Sequence, residues 1–195
     1  MKENQLKKGA FNKPPFFISY FISDPTIFKN INAIFSKHTI DIACFRDKES
    51  SNIEPLALEF INNAKKSNIA LVVINSHIDL AIKYNYDGVH LTSQQFDKIQ
   101  LAKDKNLYVI ISCHTEDEIK LAYQNGADAI TYSPIFYKEN KGEPKGIKNL
   151  KKVIELYQKD DFRIIALGGI IDDEHIKQIK QTNASGFASI RYFAN

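Results

Sequence analysis

LYVIISCHTEDEIKLAYQNGADAITYSPIF, Leu107 to Phe136, is the stretch that decides the fold. Its first part, Leu107–Ser112, is a near-continuous apolar run rich in β-branched residues, the pattern of a strand buried on both faces. Thr115-Glu-Asp-Glu comes next, with Glu118 three residues after Thr115, a capping box at a helix start. The helix predicted over Thr115–Asn125 stops at Asn125-Gly126, a helix end signal. A second β-rich run then spans Ala129–Phe136. Strand, helix and strand in direct succession predict a parallel pairing.

The same alternation extends outward in both directions. Before this stretch lie β-rich runs at Phe16–Ser23, Ile40–Arg46, Ile69–Asn75 and Gly88–Leu91; after it lie Arg163–Leu167 and Gly186–Ile190. Between the runs, Asn52–Ser67 places Ile53, Leu56, Ala57, Phe60, Ile61 and Ala64 on one helical stripe, and Asp172–Gln181 opens with acidic residues that suit a helix N-terminus. Eight such units predict an α/β fold of the (β/α)₈ TIM-barrel class, closed instead of open. The chain is short for that class, 195 residues against roughly 250. It reaches Asn195 directly after the eighth run, so the barrel is expected to lack the last C-terminal helix. We expect one domain over 1–195, with 1–15 as an N-terminal extension. That extension or a partner subunit would cover the exposed groove, which leaves a homo-oligomer open.

Composition narrows the function classes. The formal net charge is +3, without the clustered basic excess of a nucleic-acid binder. No apolar run approaches the roughly 20 residues of a membrane span, and the polar start MKENQLKKGAFNKPP has no signal-peptide core. Cys44 and Cys113 each sit inside an apolar run and read as reduced, buried thiols. These features predict a cytoplasmic protein with no nucleic-acid or membrane partner; the small phosphorylated ligand is read from the strand ends.

In a barrel the chemistry sits at the C-terminal ends of the strands and in the loops that follow. Arg46, Lys48, Lys138, Lys141 and Arg191 lie there and could converge on an anion, although the same residues also read as solvated loop charges. Gly168-Gly169, after the seventh run, is the clearest phosphate signal: glycines let backbone N–H groups approach an anion, and barrels often hold phosphate after strands seven and eight. The cradle expected is Gly168, Gly169, Ile190 and Arg191. His114, after the fifth run, reads either as a proton carrier or as part of the following helix start. His90, inside GVHL, reads as structural. No His/Cys cluster has transition-metal spacing, so no metal ligand is assigned.

Taken together, the motifs resemble the thiamine phosphate synthase/TenI superfamily. YFISD (Tyr20–Asp24) is similar to its first strand, FRDK (Phe45–Lys48) to its second-strand Arg-Glu-Lys, and VVIN with DGVHL to its third and fourth strands. SCHT, GADAITYSPIF, IALGGI and ASGFASI resemble the later motifs in order, so the resemblance runs from about Phe17 to Phe193. It implies that Arg46, Lys48, Asn75, Ser112 and Lys141 contact a pyrophosphate or substrate, and that His114 is the acid/base of the TenI branch.

The departures carry equal weight. In the synthase a pyrimidine pyrophosphate loses pyrophosphate as a thiazole phosphate is alkylated, with Mg²⁺ held partly by two aspartates. Ser76 and Gln95 stand at those two positions here. Neutral oxygens hold Mg²⁺ much more weakly than carboxylates do. Lys138-Glu139-Asn140-Lys141 replaces the synthase's Thr-x-Thr-Lys, and Arg191 replaces a serine of the phosphate loop. The TenI branch also lacks the metal aspartates, and its Ser-x-x-Phe is matched by Ser93–Phe96. The resemblance therefore implies, first, a thiazole tautomerase that uses no cofactor. The alternative is thiamine phosphate synthase, with Mg²⁺. A non-catalytic binder of a phosphorylated ligand is third.

Overall fold

The computed structural model describes residues 17–139 and 142–194. Eight parallel strands close into a barrel in sequence order: β1 (Ile18–Ile22), β2 (Ile42–Phe45), β3 (Leu71–Asn75), β4 (Gly88–Leu91), β5 (Tyr108–Cys113), β6 (Ala129–Tyr132), β7 (Arg163–Leu167) and β8 (Gly186–Ser189). Closure is made by β8 on β1, where Ile18 pairs with Gly186 and Phe21 with Ser189. Helices α1 (Ile31–Lys37), α2 (Glu54–Lys66), α3 (Ile78–Lys83), α4 (Ile99–Asp104), α5 (Glu116–Gln124), α6 (Gly146–Tyr157) and α7 (Asp173–Lys180) fill the crossovers. The expectation of a closed (β/α)₈ barrel is met.

Alternate residues of each strand build two separate cores. One set, including Ile18, Tyr20, Ile42, Cys44, Val73, Ile110, Ile165 and Ala188, fills the barrel. The other, including Phe21, Ala43, Val72, Val89, Ile111 and Ile164, packs under the helices. This two-sided burial is why the strands read as continuous apolar runs.

Four polar locks repeat around the N-terminal end of the barrel. Asp41, just before β2, accepts the Ser19 N–H at 2.8 Å. Asp87, before β4, does the same for Val72 at 2.8 Å, and Asp128, before β6, for Val109 at 2.8 Å. In the last quarter Ser185 stands in the aspartate's place, and its hydroxyl holds Gln158, whose Oε1 accepts the Ile164 N–H at 3.3 Å. Each lock joins an even strand to its odd predecessor, so each satisfies a strand N–H that would otherwise enter the barrel floor unpaired.

Local signals account for most helix boundaries. The capping box forms: the Thr115 hydroxyl accepts the Glu118 N–H, and Glu118 reaches back to Thr115. Asp172 caps α7 by accepting the His175 N–H. In α2 the predicted stripe is buried at Ala57, Phe60, Ile61 and Ala64, but Leu56 lies on its exposed edge. The sixth strand ends at Tyr132, earlier than the predicted Phe136, because Pro134 cannot donate to the ladder. Among the described residues no α-helix follows β8. A 3₁₀ turn, Arg191–Ala194, occupies that place, and its buried Phe193 packs edge-on against Phe21 and stacks on Phe187. The expected 1–15 extension lies outside the described residues, which begin at Phe17.

Removing one lock should be costly. Asp87→Ala leaves the Val72 N–H without its acceptor in a buried position and should lower unfolding stability by about 1–3 kcal/mol, measured by urea denaturation. An unchanged midpoint would show that the carboxylate is not what satisfies this strand.

Candidate active site

The barrel mouth is assembled from the C-terminal ends of the strands. Ser112 on β5, and His114 directly after it, continue the inward register of Tyr108 and Ile110, which lie in the interior core. His114 is then held from two sides. Its backbone N–H donates to Glu118 Oε2, so the capping carboxylate that starts α5 also anchors the histidine. Its ring Nδ1 lies 3.0 Å from the Ser133 carbonyl and 3.3 Å from the Ser133 hydroxyl. A carbonyl only accepts, so Nδ1 carries the proton and Nε2 keeps its lone pair. The half-buried ring can therefore take up a proton at Nε2.

Beneath His114 lies a polar layer. Tyr20 on β1 meets His90 Nδ1 at 2.7 Å, and His90 Nε2 meets Ser112 Oγ at 3.0 Å and Thr131 Oγ1 at 3.3 Å. Tyr20, His90 and Thr131 are buried, whereas Ser112 is partly open. Burial, with the Arg46 charge nearby, lowers the His90 pKa to about 4, so the ring is neutral at neutral pH. The His90 carbonyl accepts the Asn75 side-chain amide at 2.8 Å and the Ser76 N–H at 3.0 Å. His90 thus ties β1, β3, β4, β5 and β6 together below the mouth. It was the site residue least visible in the sequence. Its one signal is register: Val89 and Leu91 pack under the helices, which turns His90 inward.

On the β2 side, the Arg46 guanidinium pairs with Asp24 at 3.1 Å. Burial raises the Asp24 carboxyl, but hydrogen bonds from Thr26 and the Arg46 charge outweigh it and hold the group below the usual range. Arg46 keeps further N–H donors for an anion. Lys48 lies exposed two residues on, and Lys141 lies outside the described residues. A cavity of about 230 Å³ opens beside Arg46, lined by Ser23, Asp24, Phe28, Asp47 and Phe60 among others. Asn75, Ser112, His114 and Gly168 are not in its lining, so it is a lateral recess and not the mouth itself.

On the β7–β8 side the two turns that carry the predicted cradle residues Gly168, Gly169, Ile190 and Arg191 are tied to each other. The Ser189 hydroxyl donates to the Ile170 carbonyl at 2.8 Å and accepts the Tyr192 N–H at 3.1 Å, which joins the two turns. Gly168 and Gly169 have φ of +97° and +72°, and a Cβ on Gly169 would sit 2.6 Å from the Tyr137 carbonyl oxygen. Only glycine fits both the left-handed backbone and the overlying β6 loop. Among the described residues no backbone carbonyl takes the Gly168 or Gly169 N–H. The N-terminus of α7, by contrast, is already occupied by Asp172. The turn thus keeps backbone N–H groups without a backbone acceptor, whereas the helix end is capped.

The metal positions do not fit Mg²⁺. Gln95 Oε1 is turned into its own loop, accepting the Thr92 N–H at 3.0 Å and the Thr92 hydroxyl at 3.2 Å, while Nε2 donates to the Ser76 carbonyl at 3.4 Å. The nearby Asp47 carboxylate is engaged by the Glu49 and Ser50 N–H groups and the Ser50 hydroxyl. Among the described residues no group of three or more His, Cys, Asp or Glu is placed to hold a metal. Positions 76 and 95 themselves offer no carboxylate oxygen, the ligand that a hard cation favours. Cys44 and Cys113 are buried thiols whose pKa values burial raises, Cys44 to about 12, so neither is a nucleophile at neutral pH. No helix among the described residues is long and apolar enough to cross a membrane.

The sequence model of a family described as "Thiamine monophosphate synthase" matches residues 19–193. A protein of Aquifex aeolicus named "Putative thiamine-phosphate synthase 2" is 36% identical over 151 residues, covering 76% of this chain and 78% of that protein. The "Thiamine-phosphate synthase" of Latilactobacillus sakei is 32% identical over 163 residues, covering 76% and 70%. The solved structure of a thiamine phosphate pyrophosphorylase from Pyrococcus furiosus superposes with a TM-score of 0.76 at 21% identity, over 88% of this chain and 84% of that one, and supports the fold.

The Gly-Gly turn gives a direct test. Gly169→Ala should destabilise the loop by at least the left-handed backbone cost of about 1–2 kcal/mol. It should also weaken inorganic phosphate binding, read by calorimetry. Wild-type phosphate affinity in this variant would remove the turn from the anion site.

Proposed function

This chain belongs to the thiamine monophosphate synthase family, and we propose that it is an enzyme of thiamine biosynthesis that binds a thiazole phosphate at the barrel mouth. The observation that supports the reading is the joining of the β7 and β8 turns through Ser189, next to a left-handed Gly168-Gly169 turn whose N–H groups take no backbone carbonyl among the described residues. Phosphate on those N–H groups would leave the thiazole ring over Ser112 and His114.

The names of the relatives favour the joining reaction, in which thiazole phosphate displaces pyrophosphate from a pyrimidine. In that reaction Arg46 and Lys48 would neutralise the departing pyrophosphate, with the Asn75 amide already committed to the His90 carbonyl through one N–H. Because no free carboxylate stands at positions 76 or 95, the charge of the leaving group falls on these cations. A second reading, thiazole tautomerisation, is favoured by two specific observations: the neutral Ser76–Gln95 pair and the His114 ring with its Nε2 lone pair available. Moving a proton between two carbons of one ligand needs an acid/base and no metal.

One assay separates them. Purified protein is given pyrimidine pyrophosphate with thiazole phosphate, and separately the thiazole carboxylate phosphate tautomer, each with and without Mg²⁺. Condensation is expected, with a weak response to Mg²⁺. Tautomer conversion without condensation would establish the second reading, and neither product would leave a binder. Ser76→Asp with Gln95→Asp should strengthen Mg²⁺-dependent pyrophosphate binding; unchanged binding would show that these positions do not form the metal site.

His114→Asn supplies a further discriminator. If His114 is the acid/base of tautomerisation, turnover of that substrate should fall by about 10²–10⁴-fold with phosphate affinity nearly unchanged. Wild-type turnover in the variant would eliminate His114 from that role.

A further inference from the structure

Inside the barrel, a tyrosine, a histidine and a serine from three different strands form one continuous hydrogen-bonded row. Tyr20 Oη lies 2.7 Å from His90 Nδ1, and His90 Nε2 lies 3.0 Å from Ser112 Oγ. The row begins in the fully buried core and ends at the only member with access to the mouth. Such a row has a direction, because each group can donate to one neighbour while accepting from the other.

The direction follows from the acceptors available to Tyr20. Its phenol has one proton to give. Besides His90, the polar groups that act on it are the Tyr108 phenol and the Cys44 thiol; the thiol lies within hydrogen-bonding reach, and its own hydrogen points to the Phe45 carbonyl at 3.6 Å. Sulfur is a weak acceptor and an imidazole nitrogen a strong one, so the phenol donates to His90 Nδ1. A neutral imidazole that accepts at Nδ1 carries its hydrogen on Nε2. That hydrogen then points at Ser112 Oγ, with the Thr131 hydroxyl as a more distant neighbour. With its oxygen occupied as an acceptor, Ser112 has its own hydrogen left to give.

We infer that Tyr20, acting through His90, makes the Ser112 hydroxyl a hydrogen-bond donor toward the anionic ligand in the mouth. This rests on the reading of the mouth as the ligand site. Tyr20 and His90 are positioning residues; Ser112 is the group that would touch the ligand. The opposite orientation, with Nδ1–H donating to Tyr20, would make Nε2 an acceptor and turn the Ser112 hydrogen inward. Ser112 would then present only lone pairs to an anion, and binding would suffer. The row thus explains why a histidine that stays neutral and a buried tyrosine occupy a barrel otherwise filled with apolar side chains.

The test has a spectroscopic arm and a binding arm. Long-range ¹H–¹⁵N correlation of the wild-type protein should show His90 as a single Nε2–H tautomer, and Tyr20→Phe should turn it into a mixture. Calorimetry with inorganic pyrophosphate should show a loss of about three- to tenfold for Tyr20→Phe, the size of one neutral hydrogen bond. In a Ser112→Ala background the same change should cost less than about twofold, because the two act as one unit. An Nδ1–H ring in the wild type overturns the inference while leaving Ser112 in the site. Additive losses overturn it too. Unchanged pyrophosphate affinity in Ser112→Ala removes Ser112 from the binding site, which overturns the donor role whatever tautomer is seen. The wild-type spectrum decides the orientation even if a variant fails to fold.

Discussion

Closure of the barrel is the constraint on which the rest of the molecule depends. Once β8 pairs with β1, alternate residues of every strand are committed to an interior that water does not fill. Any polar group placed there must find its partner across the barrel. His90 does so at both ring nitrogens and at its carbonyl, and in doing so it sets the positions of Tyr20, Asn75, Ser76, Ser112 and Thr131. The site is therefore built on the barrel's interior and not only on its loops.

The two ends of the barrel handle polar groups differently. At the floor, Asp41, Asp87 and Asp128 are each spent on a strand N–H, and Gln158 with Ser185 performs the same task in the last quarter. Those carboxylates hold the scaffold and have no part in chemistry at the mouth. At the mouth the carboxylates are engaged as well: Asp24 is paired to Arg46, Asp47 accepts from its own loop, and Glu118 holds the His114 N–H. An arriving phosphate would compete with Asp24 for the Arg46 guanidinium.

A local helix signal also reaches into the site. Glu118 completes the capping box of α5, and the same carboxylate receives the His114 N–H. The glutamate that completes the cap thus fixes the backbone of the proposed acid/base, while Ser133, just past the end of β6, fixes its ring. Helix capping and side-chain positioning are here one arrangement, which is why the histidine follows the strand immediately and the cap follows the histidine.

The eightfold alternation, the capping box at Thr115, the Gly168-Gly169 turn and the neutral residues at 76 and 95 are all legible along the chain. Each of these is a local pattern, readable within a few residues because strand burial, helix capping and left-handed backbone have local chemical causes. The predicted strand over Ala129–Phe136 ran too long for the same reason, since apolar side chains continue past the point where Pro134 ends the ladder. Only the tertiary structure decided that His90 is a hub, that Arg46 is paired with Asp24, and that Ser189 draws the β7 and β8 turns together. Those contacts join residues 70, 22 and 19 positions apart. Their partners are chosen by strand register around a closed barrel, and no stretch of chain carries that information alone.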